Sequence, residues 1–93
     1  MTLLLKDPEA VLDYAVDWGA EYLGGDALTE SSWTVVPAES NGLSIVSSRF
    51  DLMLSTVQVG GGIAGRIYRL TNHVTTAEGR EDSRSIMVRV EKR

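Results

Sequence analysis

Hydrophobic and polar positions alternate along most of this chain, most regularly over Ala64 to Val90, AGRIYRLTNHVTTAEGREDSRSIMVRV. Tyr68, Leu70 and Val74 on one arm, and Ile86, Val88 and Val90 on the other, keep a period of two. A period of two puts those side chains on one face of a strand and the intervening Arg69, Thr71, His73, Met87 and Arg89 on the other. The pattern predicts strands over 66–76 and 84–91, joined by a polar loop, AEGRED, that turns at Gly79. Upstream, 27–36 is rich in Ser, Thr, Trp and Val and stops at Pro37, and 37–42 reads as a turn region ending in Asn41-Gly42. A third segment, 43–50, is apolar on both faces, with Leu43 and Ile45 on one and Val46 and Phe50 on the other, so its inward side is undetermined. Asp51 marks a bend before a strand over 52–59.

The first segment has two readings. Asp7-Pro8-Glu9 is a good helix start, with an N-cap acid and a proline in the first turn, and Gly24-Gly25 could end a helix of about four turns. Against this, Leu12, Tyr14, Val16 and Trp18 alternate with Asp13, Ala15 and Asp17, which favours a strand over 11–18. Taken together, the pattern predicts an all-β chain: an immunoglobulin-like antiparallel β-sandwich of six to seven strands, with residues 1–93 as a single domain.

Composition narrows what such a domain does. With 93 residues, 43% apolar and 24% charged, the chain is large enough for one core. It contains no cysteine, so it has no disulfide, thiolate nucleophile or cysteine metal site, a count that suits a reducing compartment without requiring one. A net charge of −4 argues against nucleic acid as a partner. The N-terminal MTLLLKDPEA has three leucines before Lys6 and Asp7, too short a run for a signal peptide or a membrane span.

Candidate chemistry is sparse. Gly60, Gly62 and Gly65 match the spacing of a dinucleotide-binding turn, but a strand follows where the phosphate-binding helix would have to start. Asp13 and Asp17 lie roughly 13 Å apart on a strand, too far to share a metal. Glu78, Glu81 and Asp82 lack the spacing of a calcium loop. His73 is the only histidine and lies on the outward phase, with no serine in a nucleophile-elbow context. No catalytic, cofactor-binding or metal-binding residue is predicted, and no cofactor. Trp18 and Trp33 suit either core packing or stacking on a sugar, with core favoured. Tyr68, early in the penultimate strand after a glycine-rich corner, suits a tyrosine corner. One surface remains as a candidate interface: Arg69, His73, Met87 and Arg89 project to the same side if the hairpin pairs in register.

The run Lys6 to Trp18, then Leu23-Gly24-Gly25-Asp26 and Ser32-Trp33-Thr34-Val35, resembles a family of small proteins of tailed bacteriophages and prophages. Gly65, Tyr68, Thr71-Asn72, Val74-Thr75-Thr76, Gly79-Arg80 and Arg84-Ser85-Ile86 continue the likeness across nearly the whole chain. The resemblance implies an Ig-like β-sandwich, often described as a phage structural or fibre-like protein, and it adds weight to the strand reading of 11–18. It also implies a non-enzymatic virion component made in the host bacterial cytoplasm, with other phage structural proteins as partners, a homo-oligomer as an option, and no membrane. A carbohydrate-binding or host-attachment module is the alternative, and exposed tryptophans would favour it.

Overall fold

The computed structural model describes residues 3–19 and 22–92, and no helix occurs among them. The strands are β1 (Leu3–Lys6), β2 (Leu12–Asp17), β3 (Leu28–Val36), β4 (Leu43–Phe50), β5 (Leu54–Gly61), β6 (Ile67–Thr76) and β7 (Glu81–Val90). They form a four-stranded sheet in the order β1-β7-β6-β3 and a three-stranded sheet in the order β2-β5-β4. All pairings are antiparallel except β1 on β7, which is parallel, with Leu3 beside Met87 and Lys6 beside Val90. The expected all-β sandwich is therefore present, with β1 as an added strand. No helix of the described residues is long and apolar enough to cross a membrane.

The helix-start signal at Asp7 becomes one tight turn. Ala10 N–H donates to the Asp7 carbonyl (3.1 Å), and Glu9 N–H donates to Asp7 Oδ1 (2.8 Å). The strand prevails because a helix would turn successive apolar positions, two residues apart, by about 200° and scatter Tyr14, Val16 and Trp18 around its circumference. As a strand, Tyr14 and Val16 lie opposite Val57 and Ser55 of β5 and face the other sheet. The ambiguity in β4 is resolved by a bulge between Ile45 and Ser47. One extra residue, Val46, shifts the phase, so that Ile45 lies opposite Val59 and Ser48 opposite Val57. The last hairpin is longer than the sequence suggests: β7 begins at Glu81 and the turn shrinks to 77–80, with Thr76 N–H donating to the Arg80 carbonyl (2.9 Å) and Gly79 at φ 84°.

Tyr68, Leu70, Val74, Val88 and Val90 are fully buried between the sheets, with Val57 and Val59 opposing them. Each such side chain contributes roughly 1.5–3 kcal/mol by leaving water. Tyr68 forms the expected corner: Ile63 N–H donates to its Oη (3.0 Å), and that hydroxyl donates to Glu39 Oε1 (2.7 Å). Burial of the phenol raises its pKa.

Within this apolar core runs a chain of buried polar groups. Trp18 Nε1 donates to Asn72 Oδ1 (2.8 Å), and Asn72 Nδ2 donates to Ser31 Oγ (2.9 Å) and to the Ser32 carbonyl (3.0 Å). Ser31 Oγ meets Ser55 Oγ (2.7 Å), which also accepts Trp33 Nε1 (2.9 Å). The network crosses from β6 and β3 to β5, so it holds the two sheets in one mutual position. Trp18 is further covered by Tyr22, edge-on at 5.3 Å, and by the Arg84 guanidinium 4.5 Å above its ring. Lys6 is also fully buried. Its ammonium donates to the carbonyls of Gly61 (2.6 Å) and Asp7 (2.8 Å), linking β1 to β5, and burial lowers its pKa against the opposing pull of Asp7.

Candidate functional site

The outer face of the four-stranded sheet follows from the strand phases. Inward Tyr68, Leu70, Asn72 and Val74 leave Ile67, Arg69, Thr71 and His73 outward on β6, and inward Val88 and Val90 leave Met87 and Arg89 outward on β7. Register places Arg69 opposite Met87 and Ile67 opposite Arg89. β1 adds Leu3 beside Met87 and Leu5 beside Arg89, and β3 adds Val36 beside Arg69. Leu3, Leu5, Val36 and Ile67 are all exposed. Arg89 Nε is 2.7 Å from Glu91 Oε1, while Arg69 makes no ion pair among the described residues.

Three of the four predicted interface residues therefore meet. Arg69, Met87 and Arg89 cluster at the end of the sheet where β1 lies, and His73 shares their face but sits about 13 Å along β6 from Arg69. It belongs to a separate row, with Nδ1 2.8 Å from Ser83 Oγ and Nε2 3.0 Å from Glu81 Oε1. That serine, histidine and glutamate have the residue types of a hydrolase triad. The row is solvent-exposed, however, and the Ser83 N–H, the donor an oxyanion hole would take from the nucleophile, is bound to Asp82 Oδ1 at 2.7 Å. Among the described residues no group of three or more His, Asp or Glu could hold a metal.

Sequence reasoning places Ile67 on the outward phase of β6 but missed Leu3, Leu5 and Val36 as members of the face. Leu3 and Leu5 alternate with Leu4 and Lys6, which is a strand signal, but four residues are too few to stand out and nothing local says that they lie beside β7. Their exposure makes the cluster an apolar patch bearing Arg69 and the Glu91-paired Arg89.

The opposite end of the sandwich, where the β2–β3, β4–β5 and β6–β7 connections meet, is locked by Arg80. Its Nε and Nη2 donate to Asp26 Oδ2 (3.2 and 3.1 Å), and Nη1 and Nη2 donate to the carbonyls of Tyr22 (3.3 Å) and Leu23 (2.8 Å). The guanidinium also lies 4.6 Å from the Tyr22 ring centre. Burial pushes the Asp26 carboxyl up, but hydrogen bonds from Thr76, Ala27 N–H, Arg80 and Glu78 N–H together outweigh it and hold the group below the usual carboxylate range. Asp51 is lowered as well, by the N–H groups of Met53 and Leu54.

Both carboxyls thus bind protons more weakly in the folded chain than in the unfolded one. Their contribution to stability is present above the ordinary carboxylate pKa of about 4 and is lost as pH falls through their lower folded values. The melting temperature is expected to hold from neutral pH to about pH 5 and to drop below about pH 4. Asp26→Asn should melt lower at neutral pH and show a shallower acid slope, and a slope equal to that of the wild type in scanning calorimetry would exclude Asp26 as a source.

The family model described as Podophage GP4 fiber-tail adaptor protein gp77 matches residues 6–89. Among solved structures, the solution structure of the PKD domain from KIAA 1837 protein is similar, with a TM-score of 0.56 at 15% identity over 98% of this chain and 79% of that one. At that identity the likeness concerns the fold, and it agrees with the Ig-like sandwich. No curated protein matches the chain. The chain belongs to the podophage fibre-tail adaptor family, and it is a phage structural protein.

Proposed function

We propose that the chain acts as a single, non-enzymatic β-sandwich connector in the virion, and that Arg69, Met87 and Arg89, with Leu3, Leu5, Val36 and Ile67, form the face on which a neighbouring phage protein docks. The family's description as a fiber-tail adaptor supports a role in joining fibre to tail. The observation that carries the choice of surface is an exposed apolar cluster bearing two arginines on an otherwise acidic chain. An apolar centre supplies burial, and the cations select an acidic partner and orient its approach. His73 stands at the margin of this face, engaged with Ser83 and Glu81. The chain is made in the host cytoplasm and taken up during assembly, with copies of itself as candidate neighbours.

Charge reversal tests the face. Arg69→Glu with Arg89→Glu should reduce copies per purified particle by about tenfold or more, since like charges set against an acidic partner cost over 1.4 kcal/mol. The melting temperature should stay within a few degrees, because both side chains are exposed. Undiminished incorporation of the double variant, counted by quantitative mass spectrometry, would remove this face from the interface.

The carbohydrate-binding alternative is disfavoured by the tryptophans. Trp18 is 0% and Trp33 is 8% exposed, and both indole N–H groups are engaged inside the core.

A further inference from the structure

The β4–β5 connection breaks the usual rule for a loop. Phe50, Leu52, Met53 and Leu54 are four large apolar residues within five positions, and they remain 43%, 66%, 56% and 36% exposed. A hairpin tip of this kind ordinarily carries polar residues that hydrogen-bond to water. Here the backbone polar groups are engaged inward instead. Asp51 closes the turn: its N–H donates to the Leu54 carbonyl (2.9 Å), and its Oδ1 accepts the N–H groups of Met53 (2.9 Å) and Leu54 (2.8 Å). The Leu52 carbonyl accepts Leu28 N–H (2.9 Å), and the Met53 carbonyl accepts Trp18 N–H (2.9 Å) and Gly19 N–H (3.3 Å). Gly19 adds a steric support, because a Cβ there would lie 2.9 Å from both Cβ and Sδ of Met53. The tip is thus clamped to the β2–β3 connection, and what it presents outward is almost wholly hydrocarbon.

The surroundings of the tip are acidic. Asp17 lies opposite Leu54 in the β2–β5 ladder, Asp51 is within the turn, and Glu78 stands exposed on the neighbouring β6–β7 connection. Of the cations there, Arg80 is bound to Asp26, and Arg49, exposed beside Phe50, offsets one of these three acids, so the surroundings stay net acidic. We infer that the Phe50–Leu54 tip is a second docking element, a preformed apolar knob that seats in an apolar recess with a basic rim on a partner virion protein. A rigid knob loses little entropy on binding, and the acids select against anionic surfaces, lipid headgroups included. This deepens the connector reading and rests on it: a protein that joins two others needs two separate surfaces. The two here differ in sign, one cationic on the sheet face and one acidic at the loop end.

Incorporation of Leu52→Ser and Leu52→Asp into particles of the encoding phage, beside the wild type, tests the knob. The Leu52 side chain is solvent-exposed, so melting temperatures should match within a few degrees, while copies per particle fall about tenfold, more for aspartate than for serine. Leu52→p-benzoylphenylalanine, photoactivated in intact particles, should cross-link to one virion protein other than the partner reached from position 69. Equal incorporation of all variants would overturn the knob and leave the connector reading standing. Absence of the wild type from particles would remove both. Leu52-dependent sedimentation with phosphatidylcholine or phosphatidylglycerol vesicles would assign the tip to lipid and overturn the proposal.

Discussion

Leu70→Asp should yield no folded protein. Leu70 lies on β6, a central strand, is fully buried, and sits in one row with Val35 and Ile86, so no cation lies opposite it to pair with a new carboxylate. Burying an unpaired charge costs several kcal/mol after relaxation, in addition to the 2–5 kcal/mol typical of losing a buried leucine. The whole folding free energy of a chain this size is roughly 5–14 kcal/mol. Circular dichroism of Leu70→Asp is expected to show a disordered chain with no thermal transition, whereas Leu70→Ala keeps a cooperative transition at a melting temperature lower by about 10 °C or more. A cooperative melt in the aspartate variant near the wild-type temperature would contradict the inward phase of β6.

Asn72→Ala should be the next most damaging change, for a different reason. The side chain is small and its apolar burial is minor. It accepts from Trp18 Nε1 inside the core and donates to Ser31 Oγ and to the Ser32 carbonyl nearer the surface. Removing it strands the buried indole donor, at about 1–3 kcal/mol, and takes one partner from each of two acceptors that lie nearer the surface, at a smaller cost. A loss of about 2–4 kcal/mol is expected, as a fall in the denaturation midpoint with an unchanged slope. Trp18→Phe removes the donor itself. In a double-mutant cycle, Trp18→Phe and Asn72→Ala should together cost less than the sum of the single changes, with a coupling of about 1–3 kcal/mol. Strict additivity would mean that the pair contributes nothing as a pair.

This network shows where sequence reasoning reaches its limit. On β6, Asn72 shares the phase of Tyr68, Leu70 and Val74, so its inward direction is legible in the chain. Its partners are not, because Trp18 is 54 residues away and Ser31 is 41 away. The same holds for the docking face. Arg69, Met87 and Arg89 follow from the phase of one hairpin joined by a short turn, which sets its own register. Leu3 and Leu5 reach that face only because β1 lies parallel to β7, a pairing of distant segments.

What the sequence by itself determined is local: which segments other than β1 are strands, which face of β6 and β7 is apolar, and where Asn41, Asp51 and Gly79 turn the chain. These depend on a side-chain period of two and on residues whose backbone preferences act within a few positions. Tertiary structure decided the rest. It moved the phase of β4 by one bulged residue, buried the ammonium of Lys6 against the Gly61 carbonyl, and laid Arg84 over Trp18 and Arg80 over Tyr22. Lysine and arginine read as surface residues in any local pattern, since their burial is costly until a partner from another strand supplies carbonyls, a carboxylate or a ring face. Which strands become neighbours is set by the packing of two sheets around one core, and no single segment carries that information.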